Sequence, residues 1–292
     1  NVFQGGFLGL DNISLFDRSH ELPTGGHINQ SDGTAWMGFY CLVMMHISLE
    51  LAKQDPVYEN MGVKFYEHFL WIANASSEDA HEGIGLWDGH DNFYYDVLKL
   101  SDEDAIPLKV RSLVGLLPLI AVDIVGQDTM ERFTEFSRSI NWLQKHRPDL
   151  ASKLAKVYDP AEGSKHLFAM PDEHQLLPVL GYMLDENEFL SEFGIRSLSK
   201  AHETPYELDI GGQHFSIAYW AAESKSGLFG GNSNWRGPIW FPINYLLIEA
   251  MHKFHHYYGD DFKVECPTGS GNLLTLEEVG DELSRRLCNI FL

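Results

Sequence analysis

Apolar residues recur at the spacing of an amphipathic helix along much of this chain, and turn residues separate the periodic runs. The first two runs cover 34–53 and 57–73, and Asp55-Pro56 between them is typical of a turn followed by a helix start. Further helices are predicted over 109–125, 128–146, 150–157, 171–184, 238–258 and 276–292. The pattern therefore predicts eight helices, of which the first four form two hairpins.

Two segments alternate apolar and polar residues and so depart from the helical pattern. One covers 92–112 around the acidic turn SDEDA, and the other covers 206–220 around Gly211-Gly212, a hairpin signal. We find no low-complexity segment, linker or repeat of fixed period. Residues 1–292 are therefore predicted to form a single, mostly helical domain with small β-hairpin excursions.

Three loop regions are rich in Gly, Asn, Asp and Trp, and they cover 1–33, 76–96 and 221–237. Long loops are costly to order, and they carry a disproportionate share of binding and catalytic residues. In a ring of helical hairpins, such loops would converge on one face. We therefore expect the functional site on that face.

Composition narrows the classes of partner. Lys and Arg number 21 against 42 Asp and Glu, and the net charge of −21 disfavours nucleic acid and anionic membranes. Apolar windows such as 112–125 are shorter than the roughly 20 residues of a membrane span, and no basic leader opens the chain, so we expect a soluble protein. Three scattered cysteines favour a reducing, cytoplasmic compartment over a disulfide framework.

Asp32 is the first candidate for catalysis. It could simply cap the helix that is predicted to begin near Thr34, as could Ser31. A second interpretation rests on Trp36, which follows Asp32 by one turn on the same helix face. A carboxyl group beside an indole holds its proton more readily, as a general acid must. Both interpretations remain open from the residues alone.

The loop regions also have the composition of a sugar site. Sugars stack their apolar faces on aromatic rings while polar side chains reach their hydroxyl groups. The aromatic residues in or beside the loops are Phe7, Trp36, Trp87, Tyr94, Trp235 and Trp240. A chain that is 13 % aromatic also places many rings in its core, so any one of these could equally be a core residue.

Other chemistries fit the sequence less well. GNSNW at 231–235 lacks the last Gly of a nucleophile elbow, and TGSGN at 268–272 lacks the Lys of a phosphate loop. His252 and His256 are four residues apart, but no H-E-x-x-H accompanies them. We interpret them as the polar end of a helix rather than as metal ligands.

Four motifs occur in order along the chain: GLDN at 9–12, D-x-x-x-W at 32–36, GIRS at 194–197, and NWRGPIW followed by NYL at 234–246. Together they resemble the motifs of the inverting α-glycosidases of glycoside hydrolase family 63 and the related mannosylglycerate hydrolases. The nearest resemblance is to a bacterial glucosidase-like branch, and it extends over the whole chain. It implies an all-α fold, the (α/α)6 toroid of six helical hairpins around a central funnel, here incomplete at both ends.

The resemblance also implies roles for individual residues. It makes Asp32 the general acid, and it places the general base on a Glu expected beyond Leu292. It implies a sugar pocket formed by Asp11, Asn12, Trp36, Trp235, Arg236, Gly237, Trp240 and Asn244. The implied reaction requires no cofactor, and we predict no metal site.

The expected reaction is hydrolysis of an α-glycosidic bond with inversion, on a small α-glucoside, α-mannoside or glycosylated acid. Asp32 would protonate the leaving oxygen while the Glu activates water on the opposite face of the sugar. Two alternatives remain. One is a non-catalytic carbohydrate-binding toroid, and the other is a sugar isomerase or epimerase, which would require a histidine pair such as His27 and His214 in the funnel.

Overall fold

The computed structural model describes residues 2–4, 13–18, 21–77, 85–101, 104–147, 150, 165–221, 225 and 238–292. The helices in this part are α1 (Ser31–Ala52), α2 (Val57–Ser77), α3 (Leu113–Leu116), α4 (Gln127–Arg132), α5 (Thr134–His146), α6 (Glu173–Met183), α7 (Phe241–Tyr258) and α8 (Leu276–Cys288). Two 3₁₀ turns cover Leu117–Ile120 and Lys200–Glu203. Helix α1 packs along α2 and against the first of these 3₁₀ turns.

Short strands are scattered among the helices and pair in antiparallel fashion. They are β1 (His27–Asn29), β2 (Trp87–Asp88), β3 (Phe93–Tyr94), β4 (Asp96–Lys99), β5 (Ala105–Leu108), β6 (Val122–Gly126), β7 (Lys165–Ala169), β8 (Leu190–Ser191), β9 (Gly194–Ile195), β10 (Tyr206–Ile210), β11 (Gln213–Ile217), β12 (Lys263–Glu265) and β13 (Leu273–Thr275). Strands β1, β4 and β5 form a sheet with β4 in the middle, and the others pair in twos.

The expected all-α (α/α)6 toroid is wrong for this structure. About 49 % of the described residues are helical, but 20 % lie in thirteen strands of several small sheets, which gives a mixed α and β character. All thirteen of these strands have two to five residues, and such lengths are too short to show a clear alternation of apolar and polar residues.

The predicted helix over 109–125 is wrong for most of its length. One turn of α3 and a 3₁₀ turn are followed by β6, which pairs with β7 from Val122–Ala169 to Gly126–Lys165. Pro118 cannot donate a helical hydrogen bond, and β-branched residues at 122, 124 and 125 favour an extended backbone. The next predicted helix, 128–146, is interrupted at Phe133 between α4 and α5.

Other predicted elements are confirmed. Strands β4 and β5 pair within 92–112, and β10 and β11 form the hairpin in which Gly211 and Gly212 both have positive φ, as a type I′ turn requires. Helices α2, α6 and α7 cover the predicted runs, whereas α8 ends at Cys288 instead of continuing to 292. The predicted helix over 150–157 lies almost entirely outside the described residues.

The start of α1 differs from the prediction in a way that affects Asp32. The helix begins at Ser31, its N-cap is Gln30, and Asp32 is the second residue of the first turn. The prediction that Ser31 or Asp32 caps this helix is therefore wrong. The backbone N–H of Ser31 donates instead to Asp96 Oδ1 at 2.9 Å, so a distant side chain satisfies a group that a local cap usually binds.

Helix α1 is also long and apolar enough, by length and composition, to cross a membrane, although 39 % of its most apolar window is buried inside the fold. The expectation that the apolar windows are too short for a span therefore does not apply to this helix. Its exposed apolar residues are Tyr40, Val43, Met44, Ile47 and Leu51. The buried ones, among them Leu42 and Met45, face the core.

Candidate functional site

The first turn of α1 contributes to a buried group of one guanidinium and two carboxylates. Arg18 binds Asp32 through two parallel hydrogen bonds, Nη2–Oδ2 at 2.7 Å and Nη1–Oδ1 at 2.8 Å. The same Nη1 donates to Asp96 Oδ2 at 2.9 Å. The three side chains, of Arg18, Asp32 and Asp96, are 1 %, 0 % and 4 % exposed. We call these residues the Arg18 cluster.

The sheet and the helix start together bring the cluster into place. Strand β1 pairs with β4, with Asn29 opposite Val97, so the first residue of β4 lies beside the chain that leads from β1 into α1. Asp96 is that first residue. Phe3 pairs with Gln30 just before the helix. Two of the three predicted loop regions, 1–33 and 76–96, thus meet at the N-terminus of α1.

The electrostatics of the Arg18 cluster favour uptake of one proton. If both carboxylates are ionised, the cluster carries a net charge of −1 in a place almost without water. Burial raises the pKa of Asp96 to about 6; the Arg18 charge opposes this rise, and the Asp32 charge adds to it. The cluster therefore binds a proton at a higher pH than an exposed carboxylate does.

Two further polar atoms are buried at the same helix start. No hydrogen-bond partner for Gln30 Oε1 or Ser31 Oγ is present among the described residues. A buried polar atom without a partner is costly, and an amide oxygen or a hydroxyl group readily binds a hydroxyl group.

We expected the indole of Trp36 beside the carboxyl group of Asp32, but the direct partner of Asp32 is a different residue. Its indole stacks on Tyr40, with ring centroids 5.7 Å apart, and packs edge-on against Phe39 at 5.8 Å. The direct partner of the Asp32 carboxylate is the Arg18 guanidinium. Asp32 therefore lies in an ion pair in this structure.

Asn244, which the resemblance places in the sugar pocket, uses its amide group inside the fold. Its Oδ1 accepts the backbone N–H of Ile195 at 2.7 Å, and its Nδ2 donates to the carbonyl oxygens of Ile195 at 3.1 Å and Trp240 at 3.0 Å. The residue is buried. In this arrangement Asn244 holds strand β9 against α7, and its role in a sugar pocket stays a prediction.

These bonds explain why two of the quoted motifs lie together. Asn244 binds the GIRS segment at Ile195, and the backbone N–H of Ser197 donates to the carbonyl of Pro238 at 2.7 Å. Gly194, the first residue of GIRS, has φ of 114°, and a Cβ added there would lie 2.8 Å from Asn244 Oδ1. The contact therefore requires glycine. Trp240, half-buried, is the N-cap of α7.

Five of the predicted pocket residues lie outside the described residues, so their placement remains a prediction: Asp11, Asn12, Trp235, Arg236 and Gly237. The histidine pair of the isomerase alternative is described. His27 is exposed on β1, and His214 is exposed on β11, where its Nδ1 lies 2.8 Å from Asp209 Oδ1. The surface position of both side chains does not favour that alternative.

Sequence reasoning missed Arg18 and Asp96. A signal for Asp96 was present, because it lies within the apolar run YYDVL, and a carboxylate in a buried strand needs a cation or several hydrogen bonds. Nothing local identified Arg18 as that cation, since it precedes Asp96 by 78 positions.

A second charged group lies at the opposite, C-terminal half of α1. Asp123 on β6 accepts from Lys253 Nζ of α7 at 3.2 Å, and its other oxygen lies 3.4 Å from His46 Nδ1 of α1. We call these three residues the Asp123 cluster. It borders a groove of about 320 Å³ whose other lining residues are apolar, Val43 and Ile47 among them.

The Asp123 cluster has the reverse balance of charges. The hydrogen bond that His46 donates to Asp123 raises the pKa of His46, and burial opposes this rise. Burial also acts to raise the pKa of Asp123, but the bond to His46 and the Lys253 charge outweigh burial and hold that pKa below its usual value. Asp123 therefore stays ionised and ties together α1, β6 and α7.

Comparison with known proteins supports the family-level resemblance. Residues 165–266 match the family described as Glycosyl hydrolase family 63 C-terminal domain, and this segment contains GIRS, Trp240 and Asn244 but not Asp32. The chain is also 46 % identical, over 304 aligned residues, to the uncharacterized protein YMR196W of Saccharomyces cerevisiae (strain ATCC 204508 / S288c). That alignment covers 100 % of this chain and 28 % of the yeast protein, so the chain spans about a quarter of the relative's length. Through residues 165–266, the chain is thus similar to the C-terminal domain of glycosyl hydrolase family 63.

Proposed function

We propose that the natural protein containing this chain is a glycoside hydrolase that cleaves α-glycosidic bonds with inversion. The observation that carries the proposal is the family match over residues 165–266, which supports glycosidase activity in general. The proposed substrates are small α-glucosides, α-mannosides or glycosylated small acids. No cofactor takes part in the proposed reaction.

Asp32 is the proposed general acid. A general acid must hold a proton and present it to the glycosidic oxygen. Arg18 binds both oxygens of Asp32 in this structure, so proton transfer requires Asp32 to exchange one of these hydrogen bonds for a contact with substrate. Substrate binding at the start of α1 is the event that would bring about this exchange.

Asp96 does not suit the role of general base. One oxygen of Asp32 lies 2.8 Å and one oxygen of Asp96 lies 2.9 Å from the same Arg18 nitrogen, so these two oxygens are at most 5.7 Å apart. Inverting glycosidases separate their two carboxyl groups by roughly 6.5–9.5 Å to admit a water molecule. The proposed base is therefore a carboxylate outside the Arg18 cluster.

Activity measurements on Asp32→Asn in the natural protein test the proposal. The substrates are aryl α-glucosides and α-mannosides with good and poor leaving groups. We expect kcat to fall by about 10²–10⁴-fold on poor leaving groups and by much less on good ones, which need little protonation. Proton NMR of the first product should show the β-anomer. An α-anomeric product, or equal losses on both substrate classes in a folded variant, would contradict the proposal.

A non-catalytic carbohydrate-binding protein is the second candidate. It is favoured by the paired state of Asp32, since a carboxylate held by a guanidinium at both oxygens presents neither of them to a substrate. Calorimetric titration with the same sugars separates the two candidates. Binding of non-aryl glycosides without any hydrolysis would favour the binding protein.

A further inference from the structure

Helix α1 exposes apolar side chains where a surface helix normally exposes polar ones. Five of its seven exposed residues are apolar, whereas four of the five exposed residues of α8 are charged. The five apolar residues are Tyr40, Val43, Met44, Ile47 and Leu51. We call them the α1 stripe. Because α1 also buries apolar residues on its other side, it has the composition of a helix that packs against partners on both faces.

The α1 stripe has the shape of a seam between two helices. Its residues occur at i, i+3, i+4, i+7 and i+11, so they follow one face of α1 for about 16 Å, or three turns. Two of them, Val43 and Ile47, also line the groove of about 320 Å³ that α1 forms with β6 and α7. An apolar ridge beside a groove of this length fits the side of a second helix.

The opposite face of α1 is fixed in the core. A Cβ added at Gly38 would lie 2.6 Å from Met170 Cε and 3.6 Å from Ala121 Cβ, so neighbouring segments approach this face closely. The first turn of α1 is held by the ion pair of Asp32 with Arg18. Insertion of α1 into a bilayer as a span would break these contacts. The net charge of −21 also opposes both an anionic lipid surface and the pairing of two copies.

The relative's length indicates what covers the stripe. The chain aligns along its whole length with the yeast protein but covers 28 % of it, so almost three quarters of that protein lies outside the alignment. A segment of the same polypeptide reaches a surface at a higher effective concentration than a separate partner does. We propose that the α1 stripe is an internal interface of the natural protein, covered by an amphipathic helix from outside these 292 residues.

The groove defines the chemistry of the covering helix. Apolar residues spaced by three and four positions would pack on Val43 and Ile47. His46 and Lys253, with side chains 66 % and 39 % exposed, form a polar edge of the same groove. The covering helix is expected to place an acidic or amide side chain at this edge. This inference does not depend on whether the protein hydrolyses a glycoside.

Photo-cross-linking in the natural protein tests the identity of the covering segment. The photoreactive residue p-benzoylphenylalanine replaces Met44 or, as a matched control, Asp281 on the charged face of α8. Irradiation should link position 44 to a peptide outside residues 1–292 of the same polypeptide, and position 281 should give no such product. A mixture of isotope-labelled and unlabelled protein distinguishes links within one polypeptide from links between copies. Links to a second copy, or to residues 1–292 alone, would overturn the inference.

Thiol labelling of the folded natural protein gives a second readout without a bulky probe. Met44→Cys should react with a maleimide at least about tenfold more slowly than Asp281→Cys, because the covering helix excludes the reagent until it opens locally. Equal rates at the two positions would mean that the stripe faces solvent, which contradicts the inference. Flotation of the protein with phosphatidylcholine vesicles, lost in Ile47→Asp, would identify a lipid surface as the occupant and would also overturn it.

Discussion

The Arg18 and Asp123 clusters lie at different levels along α1, and they differ in the ratio of carboxylates to cations. In the Arg18 cluster two carboxylates share one guanidinium, and the pKa of Asp96 is raised. In the Asp123 cluster one carboxylate meets Lys253 and His46, and its pKa is lowered. Burial is the largest single effect on the pKa of Asp96 and on that of Asp123, and in both it acts to raise the pKa. The number of cations per carboxylate, rather than burial, therefore determines which group keeps a proton.

Solvent adds a second difference. The side chains of His46 and Lys253 are 66 % and 39 % exposed, whereas that of Arg18 is 1 % exposed. Water can replace a lost partner in the Asp123 cluster but hardly in the Arg18 cluster. We therefore expect the Asp123 cluster to tolerate substitution and the Arg18 cluster to depend on all of its members.

The largest effect is expected from removal of the cation in the buried cluster. Arg18→Met leaves two carboxylates without their guanidinium, and it should lower the free energy of unfolding at pH 7 by about 3–5 kcal/mol. The matched variant Lys253→Met removes a half-exposed cation and should cost about 1 kcal/mol or less. Urea unfolding followed by circular dichroism measures both. Equal costs would show that exposure does not separate the two clusters.

A smaller effect should appear in the pH dependence of stability. Asp96 has a raised pKa, so its contribution is fully present below the ordinary value of 3.8 and is lost as the pH rises through about 6. Between pH 4 and pH 6.5 the free energy of unfolding of the unsubstituted protein should fall by up to about 3 kcal/mol relative to that of Asp96→Asn. Urea unfolding at a series of pH values gives this difference. A gap between the two proteins that does not change with pH would count against the raised pKa.

The smallest effect concerns the exposed cluster. Asp123 raises the pKa of His46, so this stabilisation is present below the ordinary histidine value of 6.5 and is lost as the pH rises through the raised value. Asp123→Asn should lower the pKa of His46 and cost about 1 kcal/mol at pH 6, with the cost declining toward pH 8. The imidazole proton shift of His46 in NMR reports its titration. An unchanged His46 titration would mean that Asp123 does not act on it.

Long helices were the part of the fold that the sequence revealed most clearly. Helices α1, α2 and α7 have 22, 21 and 18 residues, which is enough for helical periodicity to stand out. Strand β6 was mistaken for helix because it ends the run 113–125, in which Asp123 is the single polar side chain, so no polar face reveals the period. The toroid expectation came from the resemblance, and the many short strands contradict it.

The site was harder to predict because its bonds join residues far apart in the chain. Asp32 was singled out from its local surroundings, but the partners that define its chemistry are 14 and 64 positions away. The amide of Asn244 binds Ile195, 49 positions earlier, and no spacing in the sequence indicated this bond. Spacing along the sequence cannot show which cation neutralises a buried carboxylate. It also cannot show which backbone group forms hydrogen bonds with a side-chain amide.

The Asn244 side chain has a consequence for motion as well as for packing. Its amide offers Ile195 both an acceptor and a donor, as a peptide group of a neighbouring strand would, so α7 contributes the equivalent of one strand residue to the β8–β9 hairpin. The amide hydrogen of Ile195 is consequently shielded from solvent exchange only while the first turn of α7 is intact. Opening of the GIRS segment and fraying of that turn thus become a single cooperative event.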